Sequence, residues 1–395
     1  MIKNYNVLMN GIYKKLRKYV FIFILTIFII NSFCKVKSYF RSILVTLNVM
    51  DGKKFSYIDK FVKVKQIYKT YNYKNEKFPV KIFKPVGKDK CPVVLVTHGL
   101  APRGFDDWRL VAFAKTLAKT GCVVFMPNFE LLKQVKIKMS TVDKVRFIFN
   151  KMLELKFVNP DRAGIFAISY SGGPVTIAFS DKKYSSKLKY IIYLGGYYDL
   201  SNVLVFGLSG HSTFKGYDYY TKPSKWGRWY YLLSNIDYVE TESDKRLLRR
   251  IAELRKYNPD DDISEFEKKL SDKGKKLLEM IKTSDHKKIR ALIKKQSLRF
   301  RNTLKVMSPE LYIKNLTGVK IYLLHASNDP LIPFTESFLF REKLIKNKIP
   351  ASLTLINALE HVDVVKKKFT FKNIISFYLP ELVKMSNIIY EIITN

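Results

Sequence analysis

The sequence predicts an α/β fold, a mostly parallel central sheet with helices on both faces and a helical insertion in its second half. Three features carry that expectation. Continuous β-branched runs alternate with helical stretches between Pro92 and Gly195. The rhythm breaks from about Val205 to Glu310, where an aromatic stretch gives way to charged, helical sequence. It resumes at Val319.

Taken in order, residues 40–50 are a short apolar stretch that either lies on a membrane or packs on the domain. Residues 61–68 (FVKVKQIY) alternate apolar and polar side chains, and residues 78–83 follow a polar turn; the two read as an antiparallel pair. Then the period changes. Residues 92–97 (PVVLVT) form the β-branched run of a strand buried on both faces. Residues 108–119 predict a helix closed by Gly121, and residues 122–126 another buried strand. Ser140, with Asp143 three residues on, has the arrangement of a capping box opening a helix. A strand over 162–168, a helix over 172–180 and a strand over 189–195 follow.

Within the break, Ser243 reads as a helix N-cap, and Leu247, Leu248, Ile251 and Leu254 make one apolar stripe. The sheet pattern returns with strands at 319–325 and near 353–356, a helix over 335–346 between them, and a last helix after His361. The expected organisation is residues 1–50 as an N-terminal membrane anchor or signal segment, 51–205 and 311–395 as two parts of one core, and 206–310 as an inserted helical cap.

A chain of 395 residues with 47% hydrophobic and 14% aromatic content can bury a sizeable core, which excludes wholesale disorder. Its formal charge is +37, from 71 basic against 34 acidic residues. Such a balance suits a polyanion or an anionic lipid surface. The cations are spread throughout, however, among abundant Asn, Ile, Tyr and Phe, and no helix-turn-helix, zinc-finger or RNP-like string accompanies them. No specific nucleic-acid partner is expected, and no obligate protein partner is inferred. Cys34, Cys91 and Cys122 make no metal-ligand pattern. Cys91 and Cys122 each precede a predicted strand and read as buried free thiols, with a disulfide between them as the alternative. No H-E-x-x-H, Walker or dinucleotide fingerprint appears, so neither metal nor cofactor is expected.

Residues 19–34 are an uncharged run dominated by Val, Ile, Leu and Phe. Lys14, Lys15, Arg17 and Lys18 precede it, and Lys35, Lys37 and Arg41 follow. A spanning helix needs about 20 residues, which makes the run short, although flanking lysines can snorkel. A signal peptide has the same layout but wants small residues at its cleavage site, and Asn31-Ser32-Phe33-Cys34 offers only Ser32. The expectation is an uncleaved single-pass anchor with the remaining chain outside the cytoplasm, from the stronger cationic flank on the N-terminal side. The alternative is a secreted or periplasmic protein after cleavage.

The chemistry concentrates in residues 161–173, DRAGIFAISYSGG. A buried strand ends at Ile168 and a helix begins near Gly172, which leaves Ser169 on a sharp turn where its neighbours two before and two after must be small. Ala167 and Ser171 occupy those places. The string resembles the nucleophile elbow of the α/β-hydrolase superfamily, in its dienelactone-hydrolase and prolyl-oligopeptidase-like branch. Members often carry an Asp-Arg strand that ends in G-x-S-x-G-G. The resemblance covers residues 61–200 and 320–395, and departs from the pattern where Ala167 and Ser171 replace glycines. A second frame takes Ser171 as nucleophile.

The resemblance implies the remaining roles. HASNDPLIP, residues 325–333, follows a buried strand where relatives carry their acid, and Asp329 takes that place; Asp199, at the end of the strand containing Ile191, is the runner-up. In ALEHVDVV, His361 stands on a loop after the last strand, completing the order Ser…Asp…His. His98 and His325 end strands and read as loop supports, while His211 and His286 fall in the cap. After the first buried strand comes Thr97-His98-Gly99-Leu100, and the backbone amides of Leu100 and Tyr170 are the expected oxyanion donors.

The implied activity is hydrolysis of an ester-like bond in a small-molecule or acyl substrate, through an acyl-enzyme. A serine peptidase is one alternative, although relatives of that kind usually carry a large propeller ahead of the hydrolase domain, for which the N-terminal segment is too short. Another is a catalytically idle scaffold used for binding, and a third a polyanion binder resting on charge alone. Trp226, Trp229, Tyr230 and Tyr231 either wall an apolar acyl pocket or form the core of the cap.

Overall fold

A computed structural model describes residues 35–50, 62–368 and 370–394. The apolar run 19–34 lies outside the described residues. Among those described, no helix is long and apolar enough to cross a membrane.

Strands β1 (Val64–Tyr73) and β2 (Glu76–Pro85) form the antiparallel pair read from the alternation. They lead into β3 (Cys91–Thr97), β4 (Val123–Pro127), β5 (Val158–Ile168) and β6 (Tyr190–Leu194). A hairpin of β7 (His211–Phe214) and β8 (Tyr217–Tyr220) stands apart, and β9 (Lys320–Ala326) and β10 (Ala351–Ile356) complete the sheet. The sheet has eight strands in the order β1-β2-β4-β3-β5-β6-β9-β10. Pairing is antiparallel from β1 to β4 and parallel from β4 to β10.

The β-branched runs are explained by burial on both faces. Val93 and Leu95 enter one apolar cluster, while Val94 and Val96 enter the other. The first cluster includes the helices Ser140–Leu153, Gly172–Phe179 and Phe334–Lys346. The second includes Trp108–Ala118, the C-terminal helix Leu379–Thr394 and the helical residues 35–50. Residues 40–50 therefore pack on the domain: Ser42, Val45 and Thr46 are fully buried, and Asn48 Nδ2 donates to Thr116 Oγ1 at 2.6 Å.

The insertion leaves the sheet after β6 through the helix Leu200–Ser209. The hairpin follows, then a run of helices from Gly227 to Val306. The hairpin was not anticipated; its turn, Lys215-Gly216, has positive φ at both residues, the geometry that two-residue hairpins favour. The ends of the insertion are stapled together. Tyr197 Oη donates to Met307 O at 3.0 Å, the Leu200 amide to Ser308 Oγ at 2.9 Å, and the Glu310 amide to Tyr198 O at 3.1 Å.

Two expected caps are not formed. Ser140 is already helical, because Met139 before it has φ −55° and ψ −32° and the chain enters from a preceding turn; no side-chain cap bond is made. In the insertion the cap is Thr241, two residues before Ser243, because Thr241 is the extended residue whose hydroxyl can reach the Asp244 amide. Cys91 and Cys122 are buried free thiols rather than a disulfide.

Candidate active site

At the end of β5 the chain turns through Ser169 with φ +56°. A non-glycine residue in the left-handed region is strained, and such strain collects at functional sites. Space around the turn is tight. A Cβ at Gly99 would stand 2.8 Å from Ser169 Cβ, and Ala167 is fully buried between its partners Thr97 and Tyr193. The glycines after the turn have equally local reasons, since a Cβ on Gly173 would meet Tyr197 Oη at 1.9 Å.

Ser171 braces this turn. Its Oγ accepts from the Ile168 amide at 3.0 Å, donates to Ile168 O at 2.8 Å, and lies 2.7 Å from Thr97 Oγ1. Those bonds saturate the hydroxyl and tie the turn to β3.

Asp329 lies on the loop after β9 and is buried. Its Oδ1 accepts from the amides of Leu331 and Ile332 at 2.9 and 3.0 Å, which orients the carboxylate. Its Oδ2 lies 2.7 Å from His361 Nδ1 and 3.5 Å from His325 Nε2. Burial pushes this carboxyl upward, but the two imidazoles outweigh burial and hold it well below the usual carboxylate range. His325 is otherwise committed, with Nε2 against Ile332 O at 2.9 Å and Nδ1 against Ser337 Oγ at 2.7 Å.

His361 occupies the first turn position of a minimal hairpin, β11 (Leu359–Glu360) with β12 (Asp363–Val364). Its φ is +55°, a value usually met by glycine in such turns. Burial lowers the affinity of this imidazole for its proton, yet the Asp329 carboxylate more than compensates and raises its pKa above 6.5. Arg109 pairs with both Asp107 and Asp363, joining the hairpin to the start of the helix Trp108–Ala118.

Ser169, His361, Leu100 and Tyr170 all line one cavity of about 1250 Å³. The other histidines have separate tasks. His98 accepts from the Phe129 amide at 2.9 Å through Nε2, and burial lowers its pKa to about 4. His211 stacks on His286 with ring centroids 3.8 Å apart, in the insertion. Asp199 caps the helix Leu200–Ser209, accepting from the Ser201 amide at 2.8 Å.

Two contributors escaped the sequence reading. Gly195 (φ +61°) lets the chain pass where a Cβ would sit 3.3 Å from both Asp329 Oδ2 and His361 Cε1; the Gly-Gly pair after β6 was the available signal. The Tyr170 hydroxyl donates to Tyr231 Oη at 2.8 Å, and Tyr231 donates to Leu331 O at 3.1 Å, linking elbow, insertion and acid loop. Of the four aromatics singled out, Trp229 is buried core, whereas Trp226, Tyr230 and Tyr231 line the cavity.

No family model and no curated protein matches the sequence. The chain is similar to solved structures only at a distance. Acylaminoacyl peptidase from Pyrococcus horikoshii is 14% identical with a TM-score of 0.46, over 85% of this chain and 43% of that one. Dipeptidyl peptidase 4 from Porphyromonas gingivalis is 12% identical with a TM-score of 0.47, over 83% and 35%. An arylesterase is 12% identical with a TM-score of 0.42, over 83% and 84%. The chain spans less than half the length of either peptidase. By its strand order, its antiparallel leading strands and the strained turn between β5 and the helix Gly172–Phe179, the chain has the α/β-hydrolase fold.

Proposed function

We propose that this chain is a serine hydrolase that cleaves an ester-like bond through an acyl-enzyme, with Ser169 as nucleophile, His361 as base and Asp329 as its orienting acid. The observation that carries the reading is the buried Asp329–His361 contact of 2.7 Å beside a cavity into which the strained elbow also delivers Ser169. Ser169 Oγ attacks the carbonyl carbon while His361 Nε2 takes the hydroxyl proton, and the carbonyl oxygen becomes an oxyanion beside the amides of Leu100 and Tyr170. Collapse breaks the bond to the leaving alkoxide, which takes the proton from His361. Water, activated by the same imidazole, then releases the acid and restores Ser169. Asp329 stays ionised and fixes the tautomer with Nδ1 protonated.

A fluorophosphonate probe tests the reading. It should label the wild-type chain and fail on Ser169→Ala; labelling that persists in that variant would remove Ser169 from the nucleophile role. We further propose that residues 19–34 tether the enzyme to a membrane, a reading supported by the apolar run and its cationic flanks.

A further inference from the structure

The cavity at Ser169, about 1250 Å³, exceeds the roughly 300–1,000 Å³ of ordinary small-ligand pockets. Its lining comes from two parts of the chain, the insertion and the face of the sheet covered by the N- and C-terminal helices. From the insertion come Trp226, Tyr238, Phe300 and Leu304, with Ser234 and Asn235, whose side chains bond within the protein. From the other face come Val49, Phe113, Phe166, Ile356, Met385 and Ile389, with Lys115 and Lys119 also in the lining.

This second side belongs to the apolar cluster between the sheet and three helices. Phe166 and Ile356 come from β5 and β10, Phe113 from the helix Trp108–Ala118, and Met385 and Ile389 from the C-terminal helix. Val49 and Met50 come from residues 35–50, so the N-terminal helical segment forms part of the wall. Asn48 Nδ2, also in the lining, donates to Thr116 Oγ1 at 2.6 Å.

Resting on the serine-hydrolase reading, we infer that the substrate is an ester of a long acyl chain, whose hydrocarbon lies against the apolar residues of residues 35–50 and the C-terminal helix. The leaving alcohol then faces the insertion. An apolar chain gains about fourfold in binding for each methylene taken from water.

The test compares p-nitrophenyl laurate with p-nitrophenyl butyrate, using the full chain in lipid nanodiscs. Wild type should favour laurate by about 100-fold or more in kcat/KM, well within what eight added methylenes allow. Val49→Trp and Met385→Trp, on two different helices, should each lower the laurate-to-butyrate ratio about tenfold or more. Leu204→Trp, on the insertion side, should leave the ratio near its wild-type value. Equal use of both esters by wild type, a ratio unmoved by both helix variants, or one lowered equally by Leu204→Trp would overturn this inference alone. Turnover of neither ester would overturn the serine-hydrolase reading and this inference with it.

Discussion

Asp329 Oδ2 and His361 Nδ1 meet at 2.7 Å across 32 residues of sequence, with the carboxylate side chain fully buried. That contact raises the imidazole's proton affinity above what its burial alone would allow. Asp329→Asn should lower kcat roughly 10⁴-fold by presenting the wrong tautomer. The pH profile gives a second readout. In the proposed mechanism attack needs neutral His361, so kcat/KM should rise with pH through the histidine pKa, which lies above 6.5 in the wild type. Removing the carboxylate charge leaves burial acting alone, and the midpoint of that limb should move to lower pH. A midpoint that stays in place would mean that Asp329 does not charge-couple to the base.

Ser171→Ala separates a brace from a nucleophile. The substitution leaves the Ile168 amide and Thr97 Oγ1 without their partner inside the protein. A buried donor left unpaired costs about 1–3 kcal/mol, so the thermal midpoint should fall by several degrees. Fluorophosphonate labelling should survive. Loss of labelling with an unchanged midpoint would reverse the assignment of the two serines.

Much of this was legible because the signals were local. The runs at β3, β4, β5 and β6 are buried on both faces and announce themselves without alternation. Ser169, Asp329 and His361 were singled out from their places after strands, and the structure puts Asp329 against His361. The reason Ser171 replaces a glycine was not legible, because its partner Thr97 is 74 residues away. Nor was the positive φ of His361, since nothing in Glu360-His361-Val362 advertises a turn that usually wants glycine. Ser140 and Ser243 misled because a cap depends on where the preceding backbone leaves the helical region, which residue type alone does not fix.

Gly99 probes the approach of the loop after β3 to the elbow. An alanine there would place Cβ 2.8 Å from Ser169 Cβ and 3.2 Å from Ile168 O. Backbone cannot yield as a flexible side chain can, so the turn must shift. Displacements near 1 Å at a reacting group cost about 10²-fold. Gly99→Ala should lower kcat/KM by about that factor while circular dichroism stays native. Wild-type activity in this variant would show that the loop has slack.

Glu336 makes a separate prediction on stability. It is buried at the base of the insertion, accepting from the amides of Tyr198 and Asp199 at 2.9 and 2.7 Å. Burial outweighs those bonds and raises its pKa from 4.5 to about 8. Between those values the folded state binds more protons than the unfolded one, so this group makes stability fall as pH rises. Wild type should therefore lose stability relative to Glu336→Gln between about pH 5 and pH 8, in urea unfolding at each pH. A pH-independent difference between the two would place the carboxyl's pKa outside that window.

The N-terminal segment divides at residue 35, and the two halves should behave differently when removed. Residues 19–34 are the proposed tether, while residues 35–50 bury Ser42, Val45 and Thr46 and reach Ser386 of the C-terminal helix through a 3.2 Å hydroxyl contact. Deleting residues 1–34 should release the chain from membranes during alkaline carbonate extraction and leave its unfolding midpoint near the full-length value. Deleting residues 1–50 removes the burial of Val45 and the contacts of Thr46 with Ser386 and of Tyr39 with Tyr390 as well. A fully buried aliphatic side chain contributes about 1.5–3 kcal/mol, so the longer deletion should cost several kcal/mol. It should also lower hydrolysis of laurate more than that of butyrate, because Val49 and Met50 line the cavity. Equal stability of the two truncated forms would mean that residues 35–50 are not part of the folded domain, whatever becomes of the tether.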